Sequence, residues 1–330
     1  MQPPSTGGEP TLAALAGDAT LLSADRPRPP VAAEPLGPGA RVGRYVLEDT
    51  LGAGGMGTVF AARDPDLDRR VAIKLLHPHS AAGHDLTGGP QRLLREAQAM
   101  ARLTHPGVVA VYDVGVIGDR LFVAMEMIDG SDLRRWLAER PRTWREVVDA
   151  FIQAGAGLAA AHDAGIIHRD FKPDNVLVAA SGRICVGDFG LAAAAAAAPP
   201  RPRPPRGAGA YWRSTGGAMT RPGAVMGTPA YMAPEQMIGG DVTPAADLFS
   251  FCVALYEALY GRRPFEGDTI ATLYLAIRRR ALTPPPPGRR RPRRLERLLR
   301  RGLDPDPAAR PPSMHALLAE LRALALPRRR

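Results

Sequence analysis

The stretch from His168 to Gly190 constrains this chain most. It reads His168-Arg169-Asp170-Phe171-Lys172-Pro173-Asp174-Asn175, then apolar Val176-Leu177-Val178, a turn at Ser181-Gly182, and Asp188-Phe189-Gly190. Acidic groups, a lysine and an asparagine thus stand at short fixed spacing between hydrophobic runs that can anchor them. Phosphoryl transfer from a nucleotide needs such a set. One carboxylate accepts or orients the proton of the attacking hydroxyl, a cation meets charge on the moving group, and oxygen ligands hold Mg²⁺.

The two motifs resemble the catalytic loop, H-R-D-x-K-x-x-N, and the metal-binding D-F-G of eukaryotic-like (bacterial-type) protein serine/threonine kinases. Upstream, Tyr45-Val46-Leu47 and Thr58-Val59-Phe60-Ala61 flank Gly52-Ala53-Gly54-Gly55-Met56-Gly57, and Arg70-Val71-Ala72-Ile73-Lys74-Leu75 follows. This reads as strand, glycine turn, strand, connection, strand. A dinucleotide site would place a helix directly after the glycines, whereas Thr58-Val59-Phe60 favours a strand. Gln91 to Leu103 carries helical apolar spacing and includes Glu96. Val108–Val116 and Leu121–Met127 read as two further strands. Asp132–Glu139, Trp144–Ala164, Phe249–Tyr260, Ile270–Arg280, Arg293–Arg301 and Ser313–Leu324 read as helices, the second ending at Gly165 as a C-cap.

The resemblance spans about residues 44 to 326 and implies an α+β, bilobal protein-kinase fold. Its N-lobe (about 44–126) is a five-stranded antiparallel sheet with one main helix, the hinge covers about 126–131, and a mostly helical C-lobe runs over about 132–326. Residues 1–40 are Pro-, Ala- and Gly-rich and read as a disordered tail; 327–330 form a basic end. Residues from about 192 to 224 form an insertion in the activation segment, of low complexity over 192–209.

Site roles also follow from the resemblance. Asp170 is the base, with Lys172 near the transferred phosphate; Lys74, oriented by Glu96, contacts the α/β-phosphates. Asn175 and Asp188 are the metal ligands. ATP contacts fall on Leu51, Gly52, Ala53, Gly54, Gly55, Met56, Gly57, Val59, Ala72, Lys74, Met125 as gatekeeper, the backbone of Glu126 and Ile128, Asp132 toward the ribose, and Leu177. Phe189 packs under the helix carrying Glu96, Thr228 bonds Asp170 and Lys172, Glu235 pairs with Arg310, and Asp247 braces the catalytic loop. Arg169 is the kind of arginine that receives a phosphate from the activation segment, which makes Ser214, Thr215 and Thr220 candidate phosphosites. ATP with Mg²⁺ (Mn²⁺ as a substitute) is the expected cofactor. Expected partners are Ser/Thr-bearing proteins and a transient homodimer for trans-autophosphorylation.

Two other functions share the fold. A pseudokinase usually lacks the strand lysine, the catalytic aspartate or the metal aspartate, and Lys74, Asp170 and Asp188 are all present. Small-molecule phosphotransferases normally lack a segment like Gly227-Thr228-Pro229-Ala230-Tyr231-Met232-Ala233-Pro234-Glu235. The charge of +10 is largely arginine in late clusters and reads as solvated surface, so nucleic-acid binding is not expected. His77, His79 and His84 lack accompanying Cys or carboxylates and do not read as a metal site. Cys185 and Cys252 stand far apart in apolar contexts and read as buried thiols. No run reaches the ~20 apolar residues of a membrane span, and no secretory signal opens the chain, so a cytoplasmic protein is expected.

Overall fold

In the computed structural model, residues 36–55, 57–77, 100–118, 120–189, 228–288 and 291–325 are described. The first layer is a six-stranded antiparallel sheet in the order β1-β2-β3-β4-β6-β5. Its strands are β1 (Arg41–Val42), β2 (Tyr45–Gly54), β3 (Gly57–Asp64), β4 (Arg69–Leu76), β5 (Val111–Ile117) and β6 (Arg120–Glu126). The expected five strands are present, and a two-residue sixth pairs with the start of β2. It follows a turn in which Gly39 N–H donates to Leu47 O at 2.8 Å and Leu47 N–H to Ala40 O at 2.9 Å. Gly37 to Ala40, expected to lie in the tail, take part in this turn, Ala40 N–H donating to Gly37 O at 3.1 Å.

β4 is buried along six consecutive positions, Val71 to Leu76, because β3 and β6 flank it and both of its faces are covered. That burial carries Lys74 inside with its apolar neighbours, leaving it 5% exposed. A buried ammonium needs a partner. The helix expected over 91–103 is described only from Met100, so Glu96 lies outside the described residues.

A second, three-stranded sheet joins β7 (Gly130–Asp132), β8 (Val176–Ala179) and β9 (Ile184–Val186) in that order. The β8–β9 turn uses Gly182 at φ +84°, a region open to glycine without penalty. Val109 N–H donates to Val186 O and Val186 N–H to Gly107 O, both at 2.9 Å, so β9 is tied to the approach to β5.

The helices are α1 (Leu133–Glu139), α2 (Trp144–Asp163), α3 (Pro234–Met237), α4 (Pro244–Tyr260), α5 (Ile270–Arg278), α6 (Arg293–Gly302) and α7 (Met314–Ala325). Thr143 and Glu146 close a capping box at the start of α2. The helix then buries small residues, Ala150, Ala154, Gly155, Gly157 and Ala161 among them. A Cβ at Gly157 would lie 2.0 Å from Gly107 O, so only glycine lets that turn approach. Phe151 and Phe251 meet edge to face at 5.3 Å between α2 and α4, in the core that also buries Phe171 of the catalytic loop. Among the described residues, no helix is long and apolar enough to cross a membrane.

Candidate active site

α2 ends where Gly165 takes φ +75°, and the chain turns directly into His168–Asn175. Backbone amides in a loop must find acceptors, and here the acceptor comes from α4. The Asp247 carboxylate, fully buried, accepts from His168 N and Arg169 N at 2.8 Å each and meets His162 Nε2 at 2.8 Å. This is the bracing role expected of Asp247. Arg169 sits at φ +67° and Asp188 at φ +55°, conformations that cost a non-glycine residue and persist only where surroundings impose them.

His168 is buried and bridges the two motifs. Its Nε2–H donates to Gly187 O at 2.9 Å, while Nδ1 accepts from Asp170 N at 3.3 Å. One nitrogen donates and the other accepts, which is the neutral tautomer. Burial agrees, holding the imidazole below the ordinary histidine range. Phe189 stacks near this ring at 4.6 Å and is 3% exposed. It shares a core with Met100, the described end of the expected Glu96 helix.

The motif side chains make two sets of close contacts. Lys172 Nζ lies 2.7 Å from Asp170 Oδ2. Asn175 Nδ2 donates to Asp170 O at 2.8 Å and approaches Asp170 Oδ2 at 3.4 Å. The amide nitrogen is thereby used, and the amide oxygen remains as a hard donor. Lys74 Nζ pairs with Asp188 Oδ1 at 2.8 Å. Among the described residues, the lysine thus pairs with the metal-motif aspartate; the expected partner Glu96 lies outside the described residues.

Around this centre, Val59 faces Lys74 across β3–β4 and Ala72 faces Met125 across β4–β6. Leu177 pairs with Asp132 across β7–β8. Met125 lines a cleft with Met100, Val111, Val123, Asp188 and Phe189. Glu126 N–H donates to Ala110 O at 2.8 Å and its carboxylate pairs with Arg183 at 2.7 Å, so the carbonyl is what it can offer a base. Asp132 has a task that sequence reasoning did not assign: it N-caps α1, accepting from Arg135 N at 2.8 Å. Leu51, Gly52, Ala53, Gly54 and Gly55 are exposed, and Gly57 is buried. Met56, Ser214, Thr215 and Thr220 lie outside the described residues, as does the side chain of Thr228.

Hard oxygen donors from Asp188, Asn175 and Asp170, set beside two lysines, suit a divalent cation carrying phosphates. The site therefore fits a metal-nucleotide ligand on donor chemistry alone.

The sequence profile of the protein kinase domain matches residues 45–321. The chain belongs to the protein kinase family. It is 39% identical over 298 residues to the serine/threonine-protein kinase pkn3 of Myxococcus xanthus, covering 87% of this chain and 51% of that protein. It is 36% identical over 237 residues to PknA of Mycobacterium tuberculosis, covering 70% and 50%. The chain thus spans about half the length of these curated relatives. The crystal structure of the Mycobacterium tuberculosis PknI kinase domain superposes with a TM-score of 0.65 at 26% identity, covering 88% of this chain and all of that one. For this family the ligand the site fits is ATP with a divalent metal.

The kinase site also uses residues that its motifs did not reveal. Gln236 Nε2 donates to Arg169 O at 2.9 Å, tying α3 to the catalytic loop. The pair between Glu235 and Arg310, already expected, is present as well: Arg310, 4% exposed, donates through its two terminal guanidinium nitrogens to Glu235 at 2.7 and 2.9 Å and also to Ala245 O at 2.8 Å. His162 and Gln236 carry no local sign of their role, since each acts on atoms far along the chain.

Proposed function

We propose that this chain is an ATP-dependent protein serine/threonine kinase that transfers the γ-phosphate to Ser/Thr hydroxyls of proteins. The observation that carries the reading is that three separated segments supply two adjoining sets of groups: Lys172 and Asn175 meet Asp170, Lys74 meets Asp188, and Gly187, next to Asp188, is bonded to both His168 and the Asn175 backbone.

Asp170 is the group that takes up or orients the proton of the substrate hydroxyl, on a loop whose backbone Asn175 and Asp247 hold at the Asp170 carbonyl and the Arg169 amide. Lys172, beside it, balances negative charge there. Asn175 and Asp188 would hold Mg²⁺, with Mn²⁺ as a substitute, and Lys74 would meet the phosphates nearest β4. Leu51, Val59, Ala72 and Leu177 would enclose the base, Glu126 and Ile128 would meet its edge, and Asp132 would face the ribose. ATP with its metal ion supplies the transferable group and the charge neutralisation.

Family resemblance further supports phosphorylation of Thr220 or Thr215, with Ser214 as the third candidate, in trans between two copies, and Arg169 as the receiving side chain. Incubation with labelled ATP and Mg²⁺, alone and with a generic protein substrate, followed by phosphosite mapping, tests the whole reading. Asp170→Asn should keep nucleotide binding and lower kcat by about a hundred- to ten-thousand-fold, the worth of a positioned acid–base group. Turnover equal to that of the parent chain would remove Asp170 from the role. Full activity in a Ser214/Thr215/Thr220 triple-alanine variant would remove the phosphosites.

A further inference from the structure

Beside the catalytic loop lies a second set of charges that the phosphoryl chemistry does not use. Arg134 of α1 holds Asp174 with both arms of its guanidinium, Nε to Oδ1 at 3.0 Å and a terminal nitrogen to Oδ2 at 2.8 Å. The same nitrogen donates to Tyr231 Oη at 2.7 Å, and the other lies 3.9 Å from Glu257 of α4. Tyr231 Oη donates in turn to Glu257, which also lies 3.5 Å from Arg263. The hydrogen bond to Asp174 raises the Arg134 pKa, and the same bond lowers that of Asp174. Burial pushes the Tyr231 hydroxyl up to about 12. The cluster is thus two cations against two anions, with a neutral phenol between them.

Its position gives it a function. Asp174 is the next residue but one after Lys172, in the single turn Pro173–Asn175, and Tyr231 belongs to the segment leading into Pro234 and Glu235. Asp174 follows Asp170 by four residues on the same loop, and an extended peptide advances about 3.3 Å per residue, so a side chain a few positions from an acceptor held at Asp170 is the kind that could reach this cluster. Arg134 and Asp174 are 43% and 46% exposed, open to such a side chain. Without Arg134, two carboxylates would face the substrate and attract a basic residue.

We propose that Arg134 is a specificity-determining residue: it supplies from within the chain the guanidinium that Asp174 and Glu257 would otherwise take from a substrate. The proposal rests on the kinase reading above and names the substrate class of the same site, segments without a basic residue beside the acceptor. An incoming arginine meets two filled carboxylates and two like charges, which penalises it.

The test uses peptides that are identical except for Arg, Ala or Glu at each of the three positions on either side of the acceptor. For the parent chain, kcat/KM for Arg over Ala should stay at or below one throughout. Arg134→Ala should raise that ratio about fivefold at one or two adjacent positions, the scale of a partly exposed ion pair, and added salt should erode the gain. Asp174→Asn is the companion variant and leaves the guanidinium in place; it should raise the Glu-over-Ala ratio instead. Phosphorylation by the variants with parental ratios at every position overturns the Arg134 assignment and leaves the kinase reading standing. Absence of phosphorylation of any peptide by the parent chain overturns both.

Discussion

The catalytic loop and the glycine turn face the same site and are built in opposite ways. In the loop nearly every polar group is held: Asp247 takes two backbone amides, His168 bridges to Gly187, Asn175 grips the Asp170 carbonyl, and Gln236 takes the Arg169 carbonyl. At the turn, a Cβ added to Gly52, Gly54 or Gly55 would meet no atom within 4 Å. Groups that must act on a reacting atom within a fraction of an ångström need such over-determination. A cover that admits and releases a nucleotide needs close backbone approach and few contacts of its own.

The largest expected effect comes from removing the brace. Asp247→Ala deletes a buried carboxylate and strands the His168 and Arg169 amides, so chemical denaturation should show a loss of about 3–5 kcal/mol. A loss below ~1 kcal/mol would mean the loop holds itself. Next is the boundary between the two regions. Gly57 closes the turn where β3 meets β4, and a Cβ there would lie 2.0 Å from Leu75 O. Gly57→Ala should therefore cost about 1–3 kcal/mol through backbone displacement, and an unchanged midpoint would show that this end of the turn is as open as its tip.

A smaller effect is tied to pH. The folded-state pKa of His168 lies below its unfolded value, so the unfolded chain binds the proton first as pH falls. Its contribution to stability is present above about pH 6.5, the unfolded value, and is lost on acidification through that range toward the folded pKa. In His168→Phe this component of the acid-side slope should vanish; an identical slope in both proteins would contradict the buried neutral imidazole. The smallest effect belongs to the turn itself. Gly54→Ala should shift stability by no more than about 0.5 kcal/mol, while raising KM for ATP by restricting backbone approach. If it destabilises as much as Gly57→Ala, the contrast between a braced loop and an open cover fails.

Much of the architecture was legible because its causes are local. The α2 limits follow from Thr143 and Glu146 at one end and Gly165 at the other, and observed Trp144–Asp163 lies within one residue of the expected span. Gly182 sits where Ser181-Gly182 promised a turn. α4 was legible only from Phe249 on, five residues after its start at Pro244, since Pro244-Ala245-Ala246 lacks a large apolar residue to carry the period. α3, at four residues, is shorter than any period can mark. The sixth strand has only two residues and owes its existence to pairing with β2.

By itself the sequence determined which chemical groups exist and in what order. The paired motifs between His168 and Gly190, the strand-borne Lys74 and the Gly227–Glu235 segment are contiguous, and their spacing is a property of a single stretch of backbone. Only the tertiary structure decided which charge meets which. Lys74 is drawn to Asp188, Glu126 to Arg183, and Arg134 to Asp174 and Tyr231, residues 40 and 97 positions away from it. Ion pairing depends on separation and local dielectric, and both are set by how the sheets and helices pack. A chain with many arginines offers each carboxylate many partners; folding brings only a few of them within 4 Å.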